Sequence, residues 1–267
     1  MSNRLDLKFA DLSQKKERAF VAYVAAGDPN YEQSLEVVKV LADAGADVIE
    51  LGLPFSDPVA DGIVNQMAAE RAILSGMTTA KTLELIREFR QTHDTPIVLF
   101  TYLNPIYNYG YAKFTQDAKE AGADGILLLD LPPDEAGQND ELTQNEDLKH
   151  IRLISPTSPE ERIKMLAESS EGFVYALSRT GVTGAQAAPS VAVAATVQKV
   201  KQYTDTPVCI GFGINTPEQA KEVASQCDGV IVGSAIVKQI EKNADHPEVA
   251  RMVADFTRPL IEAVKSV

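Results

Sequence analysis

The sequence has no tryptophan, only two cysteines and only three histidines among its 267 residues. Cys209 and Cys227 have neither the spacing of a CxxC motif nor a histidine at metal-ligand spacing, so both are predicted to be core residues. We therefore expect no metal site and no redox role for them. Because the start of the chain also lacks the apolar core of a secretory signal, the sequence predicts a protein of the reducing cytoplasm.

Long apolar runs, basic clusters and low-complexity linkers are also missing from the sequence. No uninterrupted apolar stretch approaches the roughly 18 to 20 residues that span a bilayer, so no membrane segment is predicted. With 25 basic and 38 acidic side chains the formal net charge is −13, which argues against nucleic acid as a partner. Hydrophobic residues make up 45% of the chain, and without a linker to divide it we predict a single domain over residues 1–267.

Short runs rich in β-forming residues recur from one end of the chain to the other. Eight of them are predicted to be strands, at residues 20–25, 48–53, 96–101, 125–130, 151–155, 173–177, 208–211 and 229–232. Helical patterns separate these runs, such as residues 31–44, which place apolar side chains on one face and are followed by Gly45 as a C-terminal cap. Two more helix starts are predicted at Ser158-Pro159 and Thr216-Pro217.

The motif Ala44-Gly45-Ala46-Asp47 returns 77 residues later as Ala121-Gly122-Ala123-Asp124, a distance that corresponds to two βα units. Eight alternating units in a chain of this length favour an α/β fold, the (β/α)8 or TIM barrel, over an open sheet. Residues 4–19 carry apolar side chains at helical spacing ahead of the first strand. They predict an extra N-terminal helix that covers the lower end of the barrel.

In barrels of this kind the chemistry lies at the carboxyl ends of the strands. Residues 48–62 put Glu50 on an apolar strand and Asp61 in the loop that follows, so two carboxyl groups are expected at one strand mouth. An ionised glutamate is costly in apolar surroundings unless it is paired, which points to acid–base chemistry. The alternative is that Glu50 meets solvent or a neighbouring N–H, and that Asp61 is a simple turn residue beside Gly62.

Other polar residues near the predicted carboxyl ends of the strands are Thr101, Tyr102, Asp130 and Tyr175. The role of Asp130 stays open between a partner for loop backbone and an interface residue. His93 and His150 directly precede predicted strands, at the opposite end of the barrel, and His246 lies near the last helix. No histidine is therefore expected to act in catalysis or to bind a metal.

Glycines at the ends of the last strands indicate an anion site. Residues 211–213 (Gly-Phe-Gly) close the seventh predicted strand, and Gly233-Ser234 closes the eighth before a helical pattern over residues 235–240. Backbone N–H groups and the amino end of a short helix hold phosphate in this position of a barrel, whereas isolated glycine pairs are usually turns. A third loop, residues 179–184, supplies glycines for closure over a ligand. The predicted phosphate-binding residues are Gly184, Gly213, Gly233 and Ser234.

Taken together, these motifs resemble the α subunit of tryptophan synthase over essentially the whole chain. The segments that carry the resemblance are residues 26–29, 50–58, 61–62, 101–105, 130–133, 178–184, 211–213 and 233–235. The resemblance implies retro-aldol cleavage of indole-3-glycerol phosphate to indole and glyceraldehyde 3-phosphate, in the last steps of L-tryptophan biosynthesis. It also implies no cofactor in this chain, and a β subunit that carries pyridoxal phosphate (PLP) as the partner in an α2β2 heterotetramer.

The resemblance further implies roles for particular residues. Glu50 is expected to protonate C3 of the indole and then to take the side-chain hydroxyl proton, while Asp61 accepts the indole N–H and stabilises the positive charge that develops there. Tyr175 is expected to orient Glu50 or the substrate, with a place in the core as the alternative. Phe20 and Phe100 fit the barrel core as well as an indole pocket. The expected substrate contacts are Tyr23, Tyr102, Tyr175, Thr183 and Phe212.

The sequence departs from the family pattern after Asp61-Gly62, where Ile63 and Asn65 replace the usual proline and isoleucine. Without the fixed φ of proline, the loop that carries Asp61 is expected to be more mobile. Two other functions stay open: a stand-alone lyase that releases free indole, and a weakly active chain that mainly binds and activates the β subunit. A proline-rich rim at residues 54–58, 104–105 and 132–133 favours a partner on the active face.

Overall fold

The computed structural model describes residues 3–132, 148–177, 190–211 and 213–267. Eight parallel strands close into a barrel in which each strand pairs with its neighbours in the chain and the first pairs with the last. The strands are β1 Ala19–Ala25, β2 Val48–Gly52, β3 Ile97–Thr101, β4 Gly125–Leu128, β5 Lys149–Ile154, β6 Val174–Leu177, β7 Val208–Gly211 and β8 Gly229–Val232. The predicted (β/α)8 barrel is confirmed, and every strand that the sequence indicates is present.

The prediction that His150 precedes its strand is wrong, because β5 begins earlier than the apolar pattern indicates. Lys149 and His150 pair with Gly125 and Ile126 of β4, so the strand includes two polar residues that carry no apolar signal of their own. His150 is buried, and its backbone N–H donates to the Glu171 carboxylate at 3.0 Å. It still lies at the amino end of the barrel, away from the strand mouths.

Helices cover the outside of the barrel, and the local signals that start and end them are mostly those predicted. Gly45, at φ +101°, follows the second helix, and Thr216 accepts a hydrogen bond from the Gln219 N–H at 3.3 Å. Pro159 rather than Ser158 occupies the N-cap position of its helix, which corrects that prediction. None of the helices in the described residues is long and apolar enough to cross a membrane. The helices are Arg4–Lys15, Tyr31–Asp43, Ile63–Leu74, Thr79–Phe89, Leu103–Tyr109, Tyr111–Ala121, Glu160–Glu168, Ser190–Lys201, Pro217–Ala224, Ser234–Lys242 and Val249–Lys265.

The lower half of the barrel interior is a packed apolar layer. The extra N-terminal helix Arg4–Lys15 closes it from below, as predicted, by burying Leu5, Phe9 and Leu12 against the inward-facing strand residues. Those strand residues are Ala19, Val21, Val48, Val98, Leu127, Ile151, Phe173, Cys209 and Ile231. Cys209 and Cys227 are both buried free thiols, so the core prediction for the cysteines is confirmed. Inside the barrel, polar side chains are therefore expected in the upper half, at the strand mouths.

An acidic side chain at the foot of every second strand explains the internal repeat. Asp47, Asp124 and Asp228 each precede an even-numbered strand and accept a hydrogen bond, at 2.8 Å in each case, from a backbone N–H at the start of the strand before it. Glu171 does the same for His150 at 3.0 Å. In each pair of strands, one carboxylate before the second strand therefore hydrogen-bonds the backbone at the start of the first. This pairing accounts for a repeat whose period is two βα units.

Candidate active site

Glu50 is the central residue of β2, and its side chain points into the barrel. The side chain is fully buried, and neither carboxyl oxygen has a hydrogen-bond partner in the described part of the chain. Glu50 is therefore shielded from solvent, and no N–H group of the described residues reaches it. Burial raises the pKa of Glu50 to about 8. At neutral pH the group is a protonated acid that is available to give up its proton.

This buried acid predicts how stability depends on pH. The unfolded chain releases the Glu50 proton near the ordinary pKa of 4.5, whereas the folded chain holds it to about pH 8. Between these values the folded state binds more protons, so the Glu50 contribution to the free energy of unfolding falls as the pH rises. Glu50→Gln cannot ionise, and we expect its Tm, relative to that of the natural chain, to rise by about 5 °C or more between pH 5 and pH 8. A Tm difference that does not change with pH would contradict the assignment.

Asp61 lies in the loop after β2, directly before the helix Ile63–Leu74. Its Oδ2 accepts a hydrogen bond from the Tyr102 phenol at 2.8 Å, and its Oδ1 accepts one from Asn65 Nδ2 at 3.5 Å. Burial raises the pKa of Asp61, and the hydrogen bonds from Tyr102 and Asn65 act in the opposite direction. The carboxylate is therefore held in a fixed place by donors that favour its charged form, unlike Glu50.

The backbone around Asp61 is also held in place. The Asp61 carbonyl oxygen accepts from Gln66 Nε2 at 2.7 Å, and the Tyr102 phenol oxygen accepts from the Ala60 N–H at 3.1 Å. Ile63 is the first residue of the helix, and its side chain is 63% exposed. The extra mobility expected of this loop stays a prediction. Tyr102 was expected to contact the substrate. In the structure its hydroxyl bonds the Asp61 carboxylate and the Ala60 N–H, and a substrate contact stays a prediction.

Tyr23 and Tyr175 enter the same interior space as the two acids. Tyr23 is the register partner of Glu50, one strand away. Burial raises the pKa of the Tyr23 phenol, and the charges of Asp61 and Glu50 add to this shift. Burial also raises the pKa of Tyr175, again with contributions from Glu50 and Asp61. Tyr23 lies beside Glu50 in the register of β1 and β2, and the Tyr175 hydroxyl reaches Gly211 at the end of β7, so these side chains line one chamber with Asp61 at the strand mouths.

Glycine is required where the two phenols cross neighbouring strands. A Cβ on Gly52 would lie 2.7 Å from the Tyr23 hydroxyl, and a Cβ on Gly211 would overlap the Tyr175 hydroxyl. Phe100 packs edge-on against Tyr23, with ring centroids 5.0 Å apart. The sequence left Phe100 undecided between core and pocket. Strand alternation would have settled it, because Phe100 shares the inward face of β3 with Val98.

The predicted phosphate cradle lies at the end of β8, which is separated from β2 by β1 alone. The helix Ser234–Lys242 begins at Ser234, and its first hydrogen bonds run from the Ile236 and Val237 N–H groups to the Gly233 carbonyl, at 2.8 and 3.1 Å. The N–H groups of Ser234 and Ala235 precede those bonds at the positive end of the helix. A Cβ on Gly233 would come within 3.3 Å of Tyr23 side-chain atoms, so this helix start borders the chamber. Gly213, at φ +72°, follows β7 on the same side.

Three predicted site residues, Thr183, Gly184 and Phe212, lie outside the described residues, as does Arg179. Two other candidates turn out to serve the backbone. The Asp130 carboxylate accepts from the Leu103 N–H at 2.7 Å, as expected for a partner of loop backbone, and a role at an interface stays a prediction. The Thr101 hydroxyl is buried and donates to the Tyr102 carbonyl at 3.2 Å. Within the described ranges, no group of three or more His, Cys, Asp and Glu residues could hold a metal ion.

Asn65 is a member of the site that its sequence position alone did not reveal. The sequence marks it only as a departure, while the structure brings its amide to the Asp61 carboxylate at 3.5 Å. Its spacing from Asp61 could have indicated the contact, because residues four apart face each other across the first turn of a helix. The chamber thus combines a protonated buried acid, an anchored carboxylate and aromatic walls, with the amino end of the helix Ser234–Lys242 at its rim. This arrangement suits proton transfer to and from a phosphorylated aromatic ligand.

Comparison with known proteins agrees with that chemistry. The family model described as tryptophan synthase alpha chain matches residues 9–264. The tryptophan synthase alpha chain of Desulfatibacillum aliphaticivorans is 46% identical over 257 residues, which cover 96% of this chain and 97% of the relative.

Solved structures are similar over the same extent. The crystal structure of tryptophan synthase subunit alpha from Legionella pneumophila str. Paris superimposes with a TM-score of 0.91 at 36% identity, with 100% of both chains covered. The structure of Mycobacterium tuberculosis tryptophan synthase gives a TM-score of 0.89 at 34% identity and covers 99% of each chain. The likeness therefore extends across the whole barrel.

Proposed function

We propose that this chain, which belongs to the tryptophan synthase alpha chain family, cleaves indole-3-glycerol phosphate to indole and glyceraldehyde 3-phosphate. The observation that carries the proposal is Glu50, a fully buried carboxyl group without a hydrogen-bond partner among the described residues. Its pKa of about 8 suits a group that first gives and then takes a proton near neutral pH. A structural role gives no reason to leave such a group unpaired.

The proton transfers of the reaction balance with Glu50 as the single acid and base. Glu50 gives its proton to C3 of the indole, which leaves a positive charge on the ring that is largest at nitrogen. The Glu50 carboxylate then takes the proton of the hydroxyl on the adjacent side-chain carbon, and the bond from that carbon to C3 breaks. The bonding electrons return to the ring and neutralise it, while the hydroxyl carbon becomes the aldehyde. Glu50 ends in the protonated form in which it began.

Asp61 is proposed to accept a hydrogen bond from the indole N–H and to stabilise the charge on nitrogen while it exists. The donors on Asp61 support this role, because Tyr102 and Asn65 hold both oxygens and lower the pKa against the effect of burial. The aromatic pair Tyr23 and Phe100 would contact the flat ring. Tyr175, Thr183 and Phe212 are also proposed to contact the substrate.

The phosphate is proposed to lie at the amino end of the helix Ser234–Lys242, beside Gly213 and Gly233, with Gly184 from the loop after β6. Ser234→Asp adds a negative charge to this site. We expect KM for the phosphorylated substrate to rise at least tenfold, with a smaller change in kcat, while the neutral variant Ser234→Asn stays within a few fold of the natural chain. Equal kinetics for the Asp and Asn variants would place the phosphate elsewhere.

We further propose that the chain acts with a tryptophan synthase β subunit in an α2β2 assembly, and that PLP belongs to that partner. The alpha chain family itself implies a β partner. The rim around the chamber mouth supports this, because Val59, Ile63 and Tyr107 there are 83%, 63% and 68% exposed. Apolar side chains gathered around a functional opening are typical of a protein contact.

The test is indole formation from indole-3-glycerol phosphate by the purified chain, measured with and without a tryptophan synthase β subunit. The proposed function predicts turnover by the chain alone and a higher rate in the complex. Strong turnover without any effect of the β subunit would favour the stand-alone lyase. No turnover in either case would refute the lyase assignment, and stimulation of the β subunit by an inactive chain would then select the activator.

A further inference from the structure

Asn65 has no step of its own in the proposed reaction, yet its side chain reaches the Asp61 carboxylate. It stands on the first turn of the helix Ile63–Leu74 and approaches Asp61 Oδ1 with its Nδ2 at 3.5 Å. The other oxygen of Asp61 already has the Tyr102 phenol at 2.8 Å. Asn65 is thus the only described residue whose side chain donates to Oδ1.

The orientation of the amide follows from its neighbour. The opposite orientation would bring the amide oxygen against the carboxylate oxygen of Asp61, where two acceptors repel each other. With Nδ2 toward Asp61, the Asn65 Oδ1 atom is buried and has no hydrogen-bond partner in the described residues. Leaving a buried acceptor without a donor is unfavourable, so the contact with Asp61 has to offset it.

We infer that Asn65 is a positioning residue for the proposed lyase reaction: its amide fixes the second oxygen of Asp61 so that the carboxylate stays ionised and aimed at the indole nitrogen. This inference rests on the proposed function. At 3.5 Å the contact is long for a hydrogen bond, and hydrogen bonds around catalytic groups often tighten when substrate binds. Asn65 acts through Asp61 and does not itself take part in the chemistry.

The electrostatic surroundings of Asp61 agree in direction. Burial raises the pKa of Asp61, and the hydrogen bonds from Tyr102 and Asn65 lower it. Among the described residues, the titratable groups that share the chamber with Asp61 are the carboxyl group of Glu50, whose pKa burial raises to about 8, and the phenols of Tyr102, Tyr23 and Tyr175, whose raised pKa values keep them neutral at the pH of interest. Asn65 is therefore one of two neutral donors to Asp61, with Tyr102, and its loss should raise the pKa of Asp61.

The experiment compares the pH profile of kcat/KM for indole formation in the natural chain, Asn65→Leu and Asn65→Asp. Leucine keeps the volume without a donor, and aspartate keeps the shape while it adds a negative charge. We expect the acidic limb to move to higher pH in the order natural chain, leucine, aspartate. For Asn65→Leu the loss should be about tenfold near pH 6 and should shrink above pH 8. Glu70→Gln, an exposed position on the same helix, is the matched control and should leave the profile unchanged.

A purely structural role for Asn65 predicts a loss that is the same at every pH, and that result would overturn the inference. A second readout needs no turnover. The Asp61 carboxyl carbon can be titrated by 13C NMR in protein labelled at aspartate, with Asp61→Asn to assign the signal. A higher pKa in Asn65→Leu supports the inference, and an equal pKa overturns it. If the natural chain forms no indole, the proposed function fails, while this titration still shows whether the Asn65 amide keeps the Asp61 carboxyl group ionised.

Discussion

Replacement of Glu50 by glutamine is expected to lower kcat for indole formation by about 10³- to 10⁴-fold, because the same carboxyl group would supply both the proton for C3 and the base for the hydroxyl. The amide has the same shape and occupies a fully buried site, so the fold and the chamber should be kept. The measurement is the steady-state rate of indole release at saturating indole-3-glycerol phosphate.

Two controls separate chemistry from structure in the Glu50→Gln variant. Affinity for a substrate analogue that lacks the side-chain hydroxyl should be unchanged, since Glu50 contributes no charge to binding at neutral pH. Glu84→Gln, a substitution of the same kind at an exposed helix position, should have natural activity. Turnover of Glu50→Gln within tenfold of the natural rate would remove Glu50 from the reaction.

Replacement of Asp61 by asparagine is expected to lower kcat by about 10²- to 10³-fold, the range for losing one preorganised electrostatic contact. Asparagine keeps an acceptor for the indole N–H, but it no longer offers a negative charge to the cationic ring. The loss should therefore be smaller than for Glu50→Gln and should appear mainly in kcat. The measurement is again indole release, over a range of substrate concentrations.

Tyr102→Phe is the informative companion to Asp61→Asn. It removes the 2.8 Å hydrogen bond to Asp61 Oδ2 and the partner of the Ala60 N–H, while the ring and the charge remain. We expect a loss of about tenfold, which corresponds to one hydrogen bond to a charged group. If Asp61→Asn were as active as Tyr102→Phe, the charge of Asp61 would have no part in catalysis.

The barrel could be predicted from the sequence because its signals are local. Alternating β-rich and amphipathic runs gave every strand, and Thr216-Pro217 and Gly45 marked helix boundaries by their own chemistry. His150 was misplaced because the start of β5 depends on pairing with β4 rather than on its own residues. The repeat at Asp47 and Asp124 was visible, while Asp228 and Glu171 were not, since they share the same bond without the same flanking residues.

The site could be predicted in identity but not in detail. The sequence indicated Glu50 and Asp61, yet nothing local showed that Glu50 would have no hydrogen-bond partner among the described residues or that the Tyr102 phenol would reach Asp61. The Tyr102 contact joins the loop after β2 to the residue after β3, so it exists only once the barrel has closed. The Asn65 contact spans four residues along the chain, and its spacing was the only local indication. Asn65 illustrates the difference. In the sequence it was only a departure from the family pattern, whereas in the structure its amide donates a hydrogen bond to the Asp61 carboxylate.

The most direct test of the account is the protonation state of Glu50 itself, measured by infrared difference spectroscopy of the natural chain against Glu50→Gln across a range of pH. The account predicts a protonated carboxyl band at pH 7 that is lost with a midpoint near pH 8. A carboxylate that is already ionised at pH 6, with a midpoint near the ordinary 4.5, would contradict it.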